Sequence, residues 1–237
     1  MIPLLGSSSV EGQNGRKFFL GMLRNSGIFV QPQAQIVLMS LSEFPRSAIC
    51  RYCAAMTLRA RQVGATHYVL LGDDVELKTP FWMREISVAF REFETKYQAP
   101  SGFGCVGFSD ESFPGFPTFP VVTWRHLDMF DNSLFPDCFI NQDGDPFLFQ
   151  LYRRWNCSVL LPHVRLANLI GGPNDARYTK QHADKWTVKP LNDYVETVAI
   201  YLQKHGYTEC KRVITLNVII PTFQCQLEYL TRILELD

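Results

Sequence analysis

The chain has 237 residues, 46 % hydrophobic and 19 % charged, with 15 glycines and 14 prolines; it can bury one sizeable core and is neither a disordered nor a collagen-like polymer. Basic and acidic residues number 23 each, so the net charge is zero, which argues against a duplex-binding surface and against nucleic acid as the partner. Seven cysteines, an odd number scattered through apolar stretches as at Cys105, Cys138 and Cys157, read as reduced small hydrophobes of a cytosolic-type compartment. No apolar run reaches the roughly 18–20 residues of a membrane span. The opening MIPLLGSSSV lacks the basic region and apolar length of a signal peptide, so the expectation is a soluble cytoplasmic protein without a membrane span.

In chain order, Ile2 to Leu5 reads as a short strand ended by Gly6, and FFLGMLRNSG as a helix stopped near Gly27. Gln35 to Met39 has the continuous apolar run of a buried strand. Ser47 to Val63 reads as a helix, with Ile49, Cys53, Met56, Ala60 and Val63 on one face and Gly64 as its stop. Tyr68 to Leu71 is a strand that runs into Gly72-Asp73-Asp74-Val75-Glu76. Thr79 and Pro80 then read as the cap and first turn of a helix whose buried face is Trp82, Ile86, Ala89 and Phe93.

Gly104 to Phe108 is a candidate strand, and the Gly-, Pro- and Phe-rich stretch Phe113 to Pro120 must be irregular. Asp145 and Pro146 open a helix as cap and first-turn proline, with Leu148, Leu151, Tyr152 and Trp155 on one face. Ser158 to Leu161 is a further strand. Pro190 opens a helix that turns Leu191, Val195, Val198 and Leu202 inward and ends at Gly206. Alternating strands and helices predict an α/β domain around a single, mostly parallel or mixed sheet flanked by helices, with ligands at the carboxyl ends of its strands.

Two acidic turns carry candidate chemistry. Asp73 and Asp74 follow a strand, where two adjacent carboxylates relieve their repulsion by sharing a divalent cation with a diphosphate; as a bare pair they read equally as a solvated acidic turn. Asn141-Gln142-Asp143-Gly144-Asp145 precedes a helix. Asp145 is explained there as a cap, which leaves Asp143 either as a base aimed into a cleft or as a plain turn aspartate. Phe116, Phe119 and Trp124 form either a stacking platform for a sugar or a loop packed on the sheet. Cys50 and Cys53 have no second pair to complete a zinc site and read as packing.

The segment ATHYVLLGDDVEL resembles the metal-binding stretch of family 2-like glycosyltransferases of the GT-A fold, and LFPDCFINQDGDPFLFQLYRRW resembles the acceptor region of the same family. The resemblance spans roughly residues 1 to 175. It implies a GT-A-like fold and an inverting, metal-dependent transfer of a sugar from a nucleotide-sugar donor to a hydroxyl of a glycan or glycoprotein acceptor. Asp74 is then the main ligand of Mn²⁺ or Mg²⁺, Asp73 assists at the ribose or metal, and Asp143 is the catalytic base. Gln142, Asp145, Trp124 and Arg153 fall on the acceptor side.

The chain departs from the family at several points. Gly72 stands where many relatives have a third aspartate, and Gln142 is neutral where the family has an acid. Only Glu43 follows the second strand to read the donor base. The family's metal-binding histidine, six residues after a strand-ending proline, falls on Asn168 here. QLYRRW has one residue too many for the Q-x-x-R-W signature of processive synthases, and no membrane helix accompanies it.

The run Val218 to Thr222, followed by Tyr229, Leu230, Ile233 and Leu234, resembles the family's opening strand and helix. The expected organisation is therefore a transferase domain over 1–210 and the start of a truncated second one over 211–237. Two other functions are compatible with the same residues. One is a nucleotidyltransferase-like enzyme, for which Gly6 to Ser9 and Gly12 to Arg16 make a thin phosphate loop. The other is a non-catalytic, lectin-like module that binds sugar or nucleotide.

Overall fold

The computed structural model describes residues 5–6, 38–39, 43–45, 47–72, 74–168 and 179–212. In chain order its elements are β1 (Leu5–Gly6), β2 (Leu38–Met39), α1 (Ile49–Gln62), β3 (His67–Val69), β4 (Val75–Leu77), α2 (Trp82–Tyr97), β5 (Cys105–Asp110), β6 (Val121–Thr123), α3 (Trp124–Met129), α4 (Gly144–Arg153), β7 (Ser158–Asn168) and α5 (Lys189–Lys204). The expected helix at FFLGMLRNSG and the strand and helix after Val218 lie outside the described residues, as does Asp73.

The fold is α/β. β1 and β2 pair in parallel, and the other strands form one sheet in the order β3-β6-β5-β7-β4. This sheet is mixed. Only β5 and β7 run parallel, while β3–β6, β5–β6 and β4–β7 are antiparallel. Of the two expected arrangements, mostly parallel or mixed, the mixed one is found, because β6, a three-residue strand after the Phe-rich loop, slots in antiparallel between β3 and β5; the strands form two sheets rather than one.

β5 is the spine of the core. Phe108 packs its ring 5.6 Å from Trp82 of α2, while Cys105, on the opposite pleat, lies near Tyr152 of α4. Helices therefore cover both faces. α4 buries Leu148, Leu151, Tyr152 and, just past its end, Trp155, the face its spacing predicted; α5 buries Leu191, Val195, Val198 and Leu202, again as predicted. Each such side chain contributes about 1.5–3 kcal/mol through burial.

Three local expectations change. α1 buries Ala60 of the expected stripe but adds Cys50 and Thr57, while Ile49, Cys53 and Met56 are half-buried and Val63 is exposed. The helix is turned because Cys50 packs on the turn before α4, with its backbone N–H bonded to Ile140 O at 2.9 Å and its thiol 3.9 Å from Gln142 O. Thr79 is not a helix cap: its hydroxyl donates to His163 O and accepts from Arg165 N–H, tying it to β7, and Phe81 in a left-handed conformation precedes α2 instead. Asp145 is not the cap of α4 either. Asp143 holds that position with φ 70°, and Asp145 sits inside the first turn.

Candidate active site at the carboxyl end of the sheet

β3 and β4 are adjacent in sequence yet occupy opposite edges of the five-stranded sheet. Four inter-strand gaps span about 19 Å, and the six steps from Val69 to Val75 reach about 20 Å when extended. The link between β3 and β4 therefore crosses the end of the sheet, which carries Gly72 and Asp74 over the strand ends.

What surrounds this crossing follows from the register. Leu70 N–H bonds Pro120 O, so the loop before β6 lies against the crossing. Val75 stands opposite Asn168, and Asp110 opposite Leu166. Ser112 Oγ donates to Asn168 O at 2.9 Å and accepts from Asn168 N–H at 3.1 Å, joining the ends of β5 and β7. Asp74, expected to hold a metal, directly precedes Val75, the residue paired with Asn168, so their backbones are neighbours at this end of the sheet.

At Gly72 an added Cβ would stand 2.5 Å from Asp74 Oδ1, so the Asp74 carboxylate folds back over the glycine; the same Cβ would lie 3.7 Å from the Phe119 ring. A side chain at Gly72 would displace the Asp74 carboxylate.

Asp145 approaches from the other side of the same loop. Phe119, at φ 50°, donates its backbone N–H to the Asp145 carboxylate. The residue keeps a partly exposed edge, but its carboxyl is desolvated within electrostatic reach of Cys50, Cys53 and Cys105. Burial, against the lowering effect of the Phe119 N–H, lifts its pKa from 3.8 to about 7. The thiols respond in the same direction: burial first, and the nearby Asp145 second, push Cys53 up to about 12 and Cys50 higher still. The described cysteines are all free, so the CxxC pair acts as packing at the wall of this pocket.

Asp143 is committed elsewhere. Its side chain is 4 % exposed, with Oδ1 2.9 Å from His182 Nδ1 and Oδ2 accepting from Ala183 N–H at 2.9 Å. Asn141 assists by donating Nδ2–H to Thr179 O and accepting Gln181 N–H at Oδ1. The turn before α4 therefore clamps residues 179–183 with four side-chain bonds. Nothing in the sequence signals this, because QHADKW shows no periodicity and its partners lie about 40 positions away.

Other expected site residues are not gathered here. Trp124 follows Thr123, which pairs with His67 at the beginning of β3, so it lies at the end of the sheet away from the crossing, under the Arg125 guanidinium at 4.1 Å. Arg153 ends α4, while Asp145 starts it. Gln142 turns its amide onto Asn141 O, and Glu43 is exposed in the turn between β2 and α1.

No protein-family model matches the chain, and no curated protein and no solved structure matches it. What the site can do rests on its own geometry.

For a metal, the donors present are oxygens. Asn168 Oδ1 is buried without a hydrogen-bond partner, an orphan carbonyl of the kind a hard cation satisfies, and Asp74 adds a carboxylate. Among the described residues no three His, Cys, Asp or Glu side chains converge on one point. The set fits Mg²⁺ or Mn²⁺ held by few protein oxygens and completed by substrate phosphates, and it does not fit a zinc cage. No helix among the described residues is long and apolar enough to cross a membrane.

Proposed function

We propose that the chain is an inverting, metal-dependent glycosyltransferase of GT-A-like fold, and that Asp145 rather than Asp143 is its catalytic base. The observation that carries this reading is Phe119, whose ring lies against Gly72 beside the Asp74 carboxylate while its backbone N–H lies close enough to Asp145 to lower that carboxyl's pKa. A phosphate-side acid and a proton-accepting acid thus stand on two sides of one residue, as a displacement between donor and acceptor requires. A pKa of about 7 suits Asp145 to taking a proton near neutral pH. Asp143, held by two donors, positions the turn instead.

Asp74 and Asn168, with Asp73, would hold Mn²⁺ or Mg²⁺, which supplies charge neutralisation for a departing diphosphate. Asp145 accepts the proton of the acceptor hydroxyl. As it does so, the hydroxyl oxygen bonds the anomeric carbon, and the anomeric bond to the diphosphate breaks with its electron pair leaving on the nucleotide. The donor is a nucleotide sugar and the acceptor a glycan or glycoprotein hydroxyl. Residues 211–237 would open a second such domain.

The test is calorimetric titration with a panel of nucleoside diphosphates and nucleotide sugars, with and without Mn²⁺. Metal-dependent binding of one nucleotide, lost in Asp74→Ala, supports the reading; a folded protein that binds none of them sinks it. Release of pyrophosphate rather than a nucleoside diphosphate on turnover would assign the site to nucleotidyl transfer.

A further inference from the structure

Asp143 and His182 form a carboxylate–imidazole pair with an asymmetry that matters. The carboxylate is buried at 4 % exposure, and the imidazole is 45 % exposed. The carboxylate only accepts hydrogen bonds, so of its two partners Ala183 N–H donates to Oδ2 and His182 must donate Nδ1–H to Oδ1. With a proton fixed on Nδ1, the ring in its neutral form has Nε2 bare: a hydrogen-bond acceptor on an open ring, next to the turn that carries Asp145. Pinning the chain at 179–183 does not need an imidazole, since Asn141 and Ala183 N–H already fix that segment through three backbone bonds.

We propose that His182, oriented by Asp143, binds a hydroxyl of a neutral glycan acceptor through Nε2 and so selects for polyol rather than phosphorylated or carboxylated acceptors. The chemistry decides between these classes. A bare ring nitrogen takes an O–H donor; phosphate and carboxylate oxygens are themselves acceptors and repel it. The proposal rests on the transferase reading in placing the acceptor beside Asp145. His182 is then an acceptor-binding residue and Asp143 the residue that positions it.

The test uses the full chain at pH 7.5. Nitrogen-detected NMR of the imidazoles is expected to show His182 as the Nδ1–H tautomer. Its Nε2 signal should move on addition of neutral gluco-, galacto- or manno-configured oligosaccharides and stay still with inorganic phosphate. In Asp143→Asn, the amide can still accept Ala183 N–H through Oδ1 while donating Nδ2–H to His182 Nδ1. The segment stays clamped, but the ring proton is forced onto Nε2. His182→Ala should lose the saccharide response and raise the acceptor KM about tenfold or more, the worth of one hydrogen bond of about 1.4 kcal/mol, with the donor KM unchanged, whereas Asp143→Asn, in which His182 Nε2–H now donates, should gain a response to inorganic phosphate.

A bare Nδ1 in the wild type, no response to any oligosaccharide, a response to phosphate alone, an acceptor KM unaltered in His182→Ala, or no phosphate response in Asp143→Asn overturns the proposal. A saccharide response that survives while no nucleotide binds at Asp74 would overturn the transferase reading and leave the His182 site standing.

Discussion

Asp145 and His126 are both withdrawn from water, and each ties the stability of the fold to pH in the opposite sense. Asp145 is raised from 3.8 to about 7 by burial, so between those values the folded chain keeps a proton that the unfolded chain has lost, and stability falls as pH rises through this window. Asp145→Asn should therefore gain about 2–4 kcal/mol on the wild type between pH 4 and pH 8, read from denaturant melts at both ends. The same variant should lose about 10²–10⁴-fold in transfer rate, with nucleotide binding intact.

His126 is fully buried, with Nδ1 2.8 Å from Tyr152 OH and Nε2 2.9 Å from Leu134 O. The carbonyl takes Nε2–H, so the tyrosine hydroxyl donates to Nδ1, and the ring is neutral. Burial lowers its pKa from 6.5 to about 4, so stability falls as pH drops from 6.5 towards 4, where the unfolded chain gains a proton first. About 3 kcal/mol of acid sensitivity should disappear in His126→Phe, against a loss at pH 7 from the unpaired hydroxyl and carbonyl. An acid limb of the stability curve that is unchanged in this variant would place the titration elsewhere.

At the scale of elements, the loop from Glu111 to Pro120 matters because it delivers Phe119 to the site. Its anchor is Asp110, 1 % exposed at the end of β5, whose oxygens accept Ser112 N–H and Thr118 Oγ–H at 2.8 Å each. Asp110→Ala leaves the Thr118 hydroxyl unpaired in the interior and should cost about 1–3 kcal/mol, visible as a lower denaturant midpoint. It should also slow transfer, because the N–H that holds Asp145 loses its support; unchanged turnover would show that the loop does not position the base. α4 needs no such anchor. Leu148, Leu151 and Tyr152 are wholly buried, and Leu151→Ala should cost about 2–5 kcal/mol through the cavity alone, with the acidic turn left in place.

For the whole molecule, a ligand that binds the folded chain alone adds its binding free energy to stability. A nucleoside diphosphate with Mn²⁺ at a hundred times its dissociation constant should stabilise the fold by about 2.7 kcal/mol, raising Tm. Asp74→Ala should abolish the shift. Gly72→Ala should shrink it, since the new Cβ displaces the Asp74 carboxylate. A Tm that rises equally in all three proteins would place the nucleotide away from this turn.

Much of this was legible in the sequence, because amphipathic spacing is a local property. The faces of α2, α4 and α5, the strand at Gly104 to Phe108, the irregular Phe-rich loop and the stops at Gly64 and Gly206 all follow from residues within a few positions of one another. Both acidic turns could be found for the same reason. What the tertiary structure decided was long-range. The antiparallel insertion of β6, the crossing that puts Asp74 beside Asn168, the turning of α1 onto Cys50 and the removal of Trp124 to the far end of the sheet depend on register between distant segments. The two aspartates show the limit most clearly. Asp143 and Asp145 look alike in the sequence, and only the arrival of His182 and Ala183 at one, and burial by distant segments at the other, makes the first a buried clamp and the second a carboxyl that titrates near neutrality. Solvation and hydrogen-bond partners set a carboxylate's chemistry, and both are supplied by parts of the chain that sequence proximity does not reveal.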